Sequence, residues 1–317
     1  MSYRYVFGPV DSSRLGLSLG LDLLGQKICS FDCLYCESGP TWLHTFRRKP
    51  YAPGEAVLAE LKQWWLEKRS RPDFITLGGL GEPCLNSDLG RVISGVKRLV
   101  PDLPLAVLTN SSLLGSSLIR KELQRCQVIL PSLDSLVPEE FQTLNRPAAR
   151  MDPGKVADNI LRTKQGFAGR IYLEVLLVEG INDSQLNLHR MRDFVARLHP
   201  DRVDVLTMSR PGSHSSARPV ADEVLQAWRQ ELGAVLGPKP RHGHSTACSS
   251  SSPVQLQEMV LASLQRRPQT LQQLASGLGL EESQLEPVLQ KLLGESKVAT
   301  QDLGQENFFT LQRNYQV

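Results

Sequence analysis

No run of about 18 or more apolar residues, the length a membrane-spanning helix needs, occurs in this 317-residue chain. The opening Met1-Ser-Tyr-Arg-Tyr-Val also lacks the apolar core of a secretion signal, and the expectation is a cytoplasmic protein with no membrane partner. Neither sign of charge dominates: 36 Lys and Arg against 33 Asp and Glu leave a formal net charge of +3, which by itself selects no partner. Cysteine is sparse, with six in the chain, and three of them fall between residues 29 and 36. That clustering does not suit a disulfide framework, and in a reducing compartment it points to metal or redox chemistry. No G-x-G-x-x-G follows the first predicted strand, which argues against a dinucleotide-binding sheet.

What is present is an alternation of short apolar runs with amphipathic segments between about residues 17 and 235. The pattern predicts strands at Leu17–Leu24, Phe74–Gly78, Leu105–Thr109, Val128–Ser132, Ile171–Val178 and Val203–Met208. Helices are predicted at Glu55–Lys68, Asp88–Leu99, Leu118–Arg125, Pro138–Leu144, Pro153–Lys164, Gln185–Leu198 and Asp222–Leu236. Such alternation means parallel strands with right-handed crossovers. Six units are too few for a closed eight-stranded barrel, which leaves an open sheet or a partial barrel. In either, the site belongs at the C-terminal ends of the strands.

A Gly-, Pro- and Ser-rich stretch, 237–253, reads as a linker between a domain at 1–236 and a second at 254–317. Beyond it, helices are expected at Leu256–Leu264, at Leu271–Leu278 behind the capping box Thr270-Leu-Gln-Gln273, and at Glu281–Leu293. Strands are expected at Lys297–Gln301 and Asn307–Leu311. Three short helices and a hairpin predict a winged helix-turn-helix, with a small helical cap on the barrel as the alternative. From residue 253 onward five cations face seven acids, and the helix that would enter a groove carries three of the acids and one lysine. A phosphate-binding surface needs cations there, so the module is expected to contact protein or present substrate, and sequence-specific DNA binding is argued against.

The stretch Cys29-Ser-Phe-Asp-Cys-Leu-Tyr-Cys36 has the spacing C-x3-C-x2-C. Three thiolates on one loop can hold three corners of a cubane iron–sulfur cluster and leave one iron open. The spacing alone also allows a zinc site completed by Cys84, Cys248, His44, His242 or His244, or three unrelated cysteines.

This loop after the first strand of a β/α chain, with Tyr35 before its last cysteine, resembles the radical S-adenosylmethionine (radical SAM) superfamily. So does Thr76-Leu-Gly-Gly-Leu-Gly-Glu-Pro83 after the second strand. Within the superfamily the chain looks most like the wyosine-base-synthase-like iron–sulfur oxidoreductases. That likeness rests on residues 5–22, Gly81-Glu-Pro83, Leu144-Asn-Arg-Pro147, Val178-Glu-Gly-Ile-Asn-Asp183 and Leu206-Thr-Met-Ser-Arg-Pro-Gly212. The resemblance implies an α/β fold, a partial (β/α)6 TIM-like barrel followed by the winged-helix module. It implies a [4Fe-4S] cluster held by Cys29, Cys33 and Cys36, and S-adenosylmethionine (SAM) bound at the open iron. One electron then cleaves SAM to methionine and a 5′-deoxyadenosyl radical. It also implies cofactor contacts from Tyr35, Gly79, Gly81, Glu82, Asn110, Ser111, Ser132 and Asp134, and an electron donor of the flavodoxin or ferredoxin type. Taken one at a time, the Ser, Asn and Asp residues suit strand-end capping equally well.

The substrate is less constrained. Phe46-Arg-Arg-Lys-Pro-Tyr51 mixes cations and aromatics as an RNA contact would, and Arg210, Arg218, Lys239 and Arg241 extend a basic mouth. The expected activity is radical modification of an RNA base. Modification of a protein or peptide through the C-terminal module is the alternative, and a non-catalytic, metal-stabilised interaction protein is a third reading. Cys84 and Cys248 are candidate hydrogen-atom donors, whereas Cys126, just before a strand, reads as a small core residue.

Overall fold

The computed structural model describes residues 3–12, 14–67, 71–235 and 253–312. Ser13, Lys239, Arg241, His242, His244, Cys248 and all of the expected linker except Pro253 lie outside the described residues.

The chain opens with an antiparallel pair, β1 (Val6–Ser12) and β2 (Gly16–Leu21). Two short strands, β3 (Ile28–Cys29) and β4 (Leu43–His44), pair in parallel across the cysteine loop. There follow α1 (Gly54–Glu67), β5 (Phe74–Leu77), a 3-10 turn at Pro83–Leu85, α2 (Leu89–Leu99), β6 (Leu105–Thr109), α3 (Ser117–Leu123) and β7 (Val128–Pro131). Next come α4 (Pro138–Asn145), α5 (Pro153–Gly166), β8 (Arg170–Leu177), α6 (Gln185–Leu198), β9 (Arg202–Thr207) and α7 (Asp222–Glu231). The last elements are α8 (Pro253–Leu264), α9 (Leu271–Leu278), α10 (Glu282–Gly294), β10 (Val298–Leu303) and β11 (Glu306–Leu311).

The main sheet has the order β1-β2-β5-β6-β7-β8-β9, and every pairing from β2 onward is parallel. The six expected parallel strands are therefore present. β1 was not expected as a strand: Gly8 and Pro9 punctuate it, and a bulge between Phe7 and Val10 absorbs them while Gly8 takes φ +90°. β2 stops at Leu21 because Asp22 turns the chain, its Oδ1 accepting from the Leu24 N–H at 3.0 Å. α7 ends earlier than predicted, with Gly233 at φ +61° just past it.

Side chains divide by strand alternation. Leu105, Val107, Ile129, Ile171, Leu173 and Val175 pack under the helices with Val57, Leu61, Ile93 and Ile160. Ala106, Leu108, Val128, Leu130 and Tyr172 face the other way and pack with Leu15 and Phe74.

The inner face decides between an open sheet and a barrel. β2 and β9 are five strand spacings apart, roughly 24 Å if the sheet were flat. Yet Arg202, at the start of β9, donates from Nη1 to the Arg14 carbonyl in the turn before β2 at 2.9 Å. Arg14 in turn pairs with Glu174 on β8, and Arg202 pairs with Asp204 at 2.8 Å while stacking 4.1 Å above the Tyr172 ring. The sheet is curled into a partial barrel, with this charged seam closing it at the N-terminal ends of the strands.

The C-terminal elements have their own core of Val260, Leu264, Leu274, Leu285, Leu289, Leu292 and Val298. Thr270 and Gln273 form the expected capping box of α9, and β10 and β11 pair as an antiparallel hairpin. No helix among the described residues is long and apolar enough to cross a membrane.

Arg202→Met would leave Asp204, 4% exposed at its side chain, buried without its partner. The expected loss is about 3 kcal/mol of unfolding free energy, read by urea denaturation. The double variant Arg202→Met, Asp204→Leu should recover part of it, because no lone charge then stays in the seam.

Candidate functional site

Three segments hold the cysteine loop. At the C-terminal end of β5, Ile28 donates to the Leu80 carbonyl at 3.1 Å and Glu82 N–H returns a bond to Ile28 O at 3.2 Å. The approach is so close that a Cβ on Gly81, at φ +141°, would lie 1.9 Å from Ile28 O, which requires glycine there. From the end of α4, Leu144 and Asn145 accept from Leu34 and Asp32 N–H, and Ala148 N–H bonds Ser30 O at 2.9 Å. After β9, Ser213 Oγ donates to Cys33 O at 2.7 Å and His214 N–H to Leu34 O at 3.1 Å. The motifs Gly81-Glu-Pro83, Leu144-Asn-Arg-Pro147 and Arg210-Pro-Gly212 thus bring three strand or helix ends to bear on the loop.

Each of the loop's thiols receives a different side-chain N–H. Asn110 Nδ2 lies 3.5 Å from Cys29 Sγ, Asn145 Nδ2 lies 3.4 Å from Cys33 Sγ, and Lys27 Nζ lies 2.7 Å from Cys36 Sγ. The asparagines are anchored by buried carboxylates. Glu82 accepts the Asn110 backbone N–H on Oε2 at 2.7 Å, and its Oε1 accepts from the Thr109 hydroxyl at 2.8 Å and Cys84 N–H at 3.0 Å. Asp134 Oδ2 accepts from Asn145 Nδ2 at 2.7 Å and from the Tyr35 hydroxyl at 2.6 Å, while Oδ1 takes Leu176 N–H at 2.9 Å.

Burial pushes the Asp134 carboxyl up to about 6, against the pull of its bonds from Tyr35 and Asn145. Burial likewise raises Glu82, with the Asn110 N–H opposing it. It carries the Cys29 thiol up to about 11 despite nearby Lys27, and it lifts Cys33 well above the thiol range. For Lys27, burial pulls the ammonium down but the surrounding cysteines outweigh it, so it stays protonated.

Of the residues expected at the cofactor, Glu82, Asn110, Asp134 and Tyr35 converge on the loop. Glu82 and Asp134 spend most of their hydrogen-bonding capacity on the protein, and Tyr35 is tied to Asp134. Gly79 stands exposed at φ +136°, where a Cβ would meet Asp22 at 3.0 Å. Ser111, at φ 68°, is buried and donates to Ser132 O at 2.9 Å, binding the ends of β6 and β7 together. Cys84 is fully buried beneath the Glu82 turn, its Sγ 3.7 Å from Thr109 Oγ1, and burial raises its thiol. Cys126 is buried in the main core. As for a fourth zinc ligand, Cys84 is engaged there and His44 Nε2 lies 3.1 Å from Ser30 O; among the described residues no three Cys, His, Asp or Glu converge on a single-ion site.

Sequence reasoning missed Lys27, Asn145, Asp22 and Arg266. Lys27 stands two residues before Cys29, a local signal, whereas Arg266 lies in the turn between α8 and α9 and has none. That turn reaches the barrel rim: Ser38 Oγ donates to Arg266 O at 3.1 Å, and Arg210 donates to Pro268 O at 3.1 Å and Gln273 Oε1 at 3.1 Å. The Arg266 guanidinium lies 4.2 Å over the Phe7 ring and 3.7 Å from Asp22, which is 1% exposed. Asp22 Oδ2, Arg266 Nη1 and Asn145 Oδ1 are buried without hydrogen-bond partners, so polar capacity is left over beside the loop.

Three thiols on a wrapped loop, each with its own N–H donor, fit a [4Fe-4S] cluster anchored at three corners.

No family model matches the chain. It is 34% identical over 242 residues to a UPF0026 protein of Synechocystis sp., a match covering 75% of this chain and 86% of that protein. It is 31% identical over 296 residues to a protein of Brachyspira hyodysenteriae named GTPase Obg, covering 93% of this chain but only 43% of that longer protein. Among solved structures, a radical SAM methyltransferase from Sphaerobacter thermophilus matches with a TM-score of 0.54 at 17% identity, over 68% of this chain and 63% of that one. That last likeness is one of fold. The fold is thus shared with a radical SAM methyltransferase, and the cysteine loop resembles the one with which radical SAM enzymes hold a [4Fe-4S] cluster. The extent and identity of the Synechocystis match place the chain in the UPF0026 family.

Asp134 supplies a prediction with a definite sign. Its carboxyl is raised in the folded state, so its contribution to stability is full below the ordinary carboxylate range and is lost as pH rises through about 6. Between about pH 7 and about pH 4 the cluster-free protein should gain about 2 kcal/mol relative to Asp134→Asn, read by urea unfolding at each pH. The same variant should bind less iron on reconstitution, because Asn145 then loses the carboxylate that aims it at Cys33.

Proposed function

We propose that this chain is a radical SAM enzyme that modifies an RNA base. The single observation that carries the catalytic reading is the set of three thiols on one loop, each facing its own N–H donor at the C-terminal end of the barrel. When bound, the cluster and SAM supply a 5′-deoxyadenosyl radical that abstracts hydrogen from the substrate. The chain's own residues shape where this happens. Glu82 and Asp134 hold Asn110 and Asn145 onto the loop, the Gly79–Glu82 turn packs tightly against Asp22 and the Ile28 carbonyl at the loop's start, and the α8–α9 turn roofs one side of the mouth.

The RNA reading is supported by the rim. Trp42, 61% exposed, precedes the strand paired with the Cys29 segment, and the exposed Arg47 and Lys49 follow it. A projecting aromatic among cations suits an unstacked base and its phosphates. The second reading is a protein or peptide substrate held by the C-terminal elements, whose three helices and hairpin have the order of a winged helix. It is favoured by Glu281, Glu282 and Glu286, all exposed on or beside α10, where a nucleic-acid reader would place cations. A flavodoxin- or ferredoxin-type protein is the proposed one-electron donor in either case.

The test has two arms. Anaerobically reconstituted protein, reduced with dithionite and given SAM, is expected to release 5′-deoxyadenosine, and Cys33→Ala to release none. Absence of the product from wild type would instead favour a non-catalytic, metal-stabilised protein. Nucleoside mass spectrometry of RNA from a deletion strain should then show a missing modification, and an unchanged profile would move the substrate to protein or peptide.

A further inference from the structure

The three N–H donors on the cysteine sulfurs are not equivalent. Asn110 and Asn145 are neutral amides held from behind: Asn110 also donates to Ser30 Oγ at 2.9 Å, and Asn145 to Asp134 at 2.7 Å. Lys27 is different. It is half-buried, its ammonium lies 2.7 Å from Cys36 Sγ, and no carboxylate among the described residues lies within ion-pair reach of it. Its backbone is fixed, since its carbonyl accepts from Trp42 N–H at 2.9 Å and Leu43 N–H at 3.3 Å, so the side chain leaves a braced point. A partly buried ammonium is costly without a counter-ion. Among the described residues, the counter-charge within its reach is that of the cysteine sulfurs, which become anionic when they hold the cluster.

Three thiolates outweigh the charge of the cluster core, and an added electron makes the whole more negative. A cation and N–H donors on the sulfurs stabilise that extra charge and raise the reduction potential, and a site shielded from water strengthens the effect. We propose that Lys27 is a positioning residue that sets the potential of the cluster through Cys36, with Asn110 and Asn145 as its neutral counterparts on Cys29 and Cys33. One electron passes from a flavodoxin- or ferredoxin-type donor to the cluster. No bond to Lys27 forms or breaks, and its protons stay on Nζ. The role follows from the geometry of this chain and rests on the cluster of the proposed function.

The experiment uses the full chain reconstituted anaerobically as wild type, Lys27→Met, Lys27→Gln and Lys27→Arg, with iron and sulfide measured in each. Dithionite titration followed by electron paramagnetic resonance is expected to give a more negative midpoint for Lys27→Met. Lys27→Gln, which keeps an N–H but no charge, should fall between it and wild type, and Lys27→Arg should return close to wild type. Under a fixed, weak reductant, formation of 5′-deoxyadenosine should slow in the same order with little change in the KM for SAM. Equal midpoints for wild type and Lys27→Met would overturn the proposal. So would failure of folded Lys27→Met and Lys27→Gln to load iron, which would make the residue structural. A wild type that forms no cluster overturns the functional reading itself, a result distinguishable from either.

Discussion

A carboxylate buried at the end of a parallel strand is tolerable only when its oxygens are filled, and Glu82 and Asp134 are filled by groups that the site needs in place. Glu82 takes the backbone N–H of Asn110, and Asp134 takes the side-chain N–H of Asn145. Those two asparagines then reach Cys29 and Cys33. The cost of burying each charge is offset by bonds that also orient the cysteine loop. Because the same carboxylates tie β5 to β6 and β7 to β8, the strand ends and the loop are one connected object. A shift of either strand would move a donor off a sulfur.

The C-terminal elements join this object at its rim. Arg266 brings a guanidinium to Asp22, at the turn that follows β2 and beside Gly79. The separation of 3.7 Å, with both facing atoms otherwise unbonded, makes this an electrostatic contact without a hydrogen bond. Burial raises the Asp22 carboxyl and Arg266 opposes the rise, so the charge state of a residue beside the Gly79–Glu82 turn depends on a side chain more than two hundred positions away. Arg210, after β9, grips the same α8–α9 turn. The turn therefore spans from β9 to β1, over the two edges that the charged seam draws together at the opposite end of the barrel.

Much of the fold was legible because strand alternation and helix periodicity are local. The six parallel strands, the helices Gln185–Leu198 and Pro138–Asn145, and the Thr270–Gln273 capping box follow from residues within one element. β1 was not, because Gly8 and Pro9 break the local pattern and only pairing with β2 makes a strand of it. The choice between open sheet and barrel was not local either, since it turns on Arg202 meeting Arg14. At the site, the three cysteines announce themselves by spacing, and Lys27 could have been read from its distance to Cys29. Glu82 and Asp134 were picked out as cofactor contacts, yet the bonds that fill them could not be read from their neighbours in the chain.

By itself, then, the amino-acid sequence determined the element order, the strand-end positions of the polar residues and the three-thiol loop, because each depends on spacings of a few residues. Tertiary structure alone decided that the sheet curls, that each sulfur has its own donor, and that Arg266 reaches Asp22. Those facts depend on groups far apart in the chain, and only the packed core sets the distances between them.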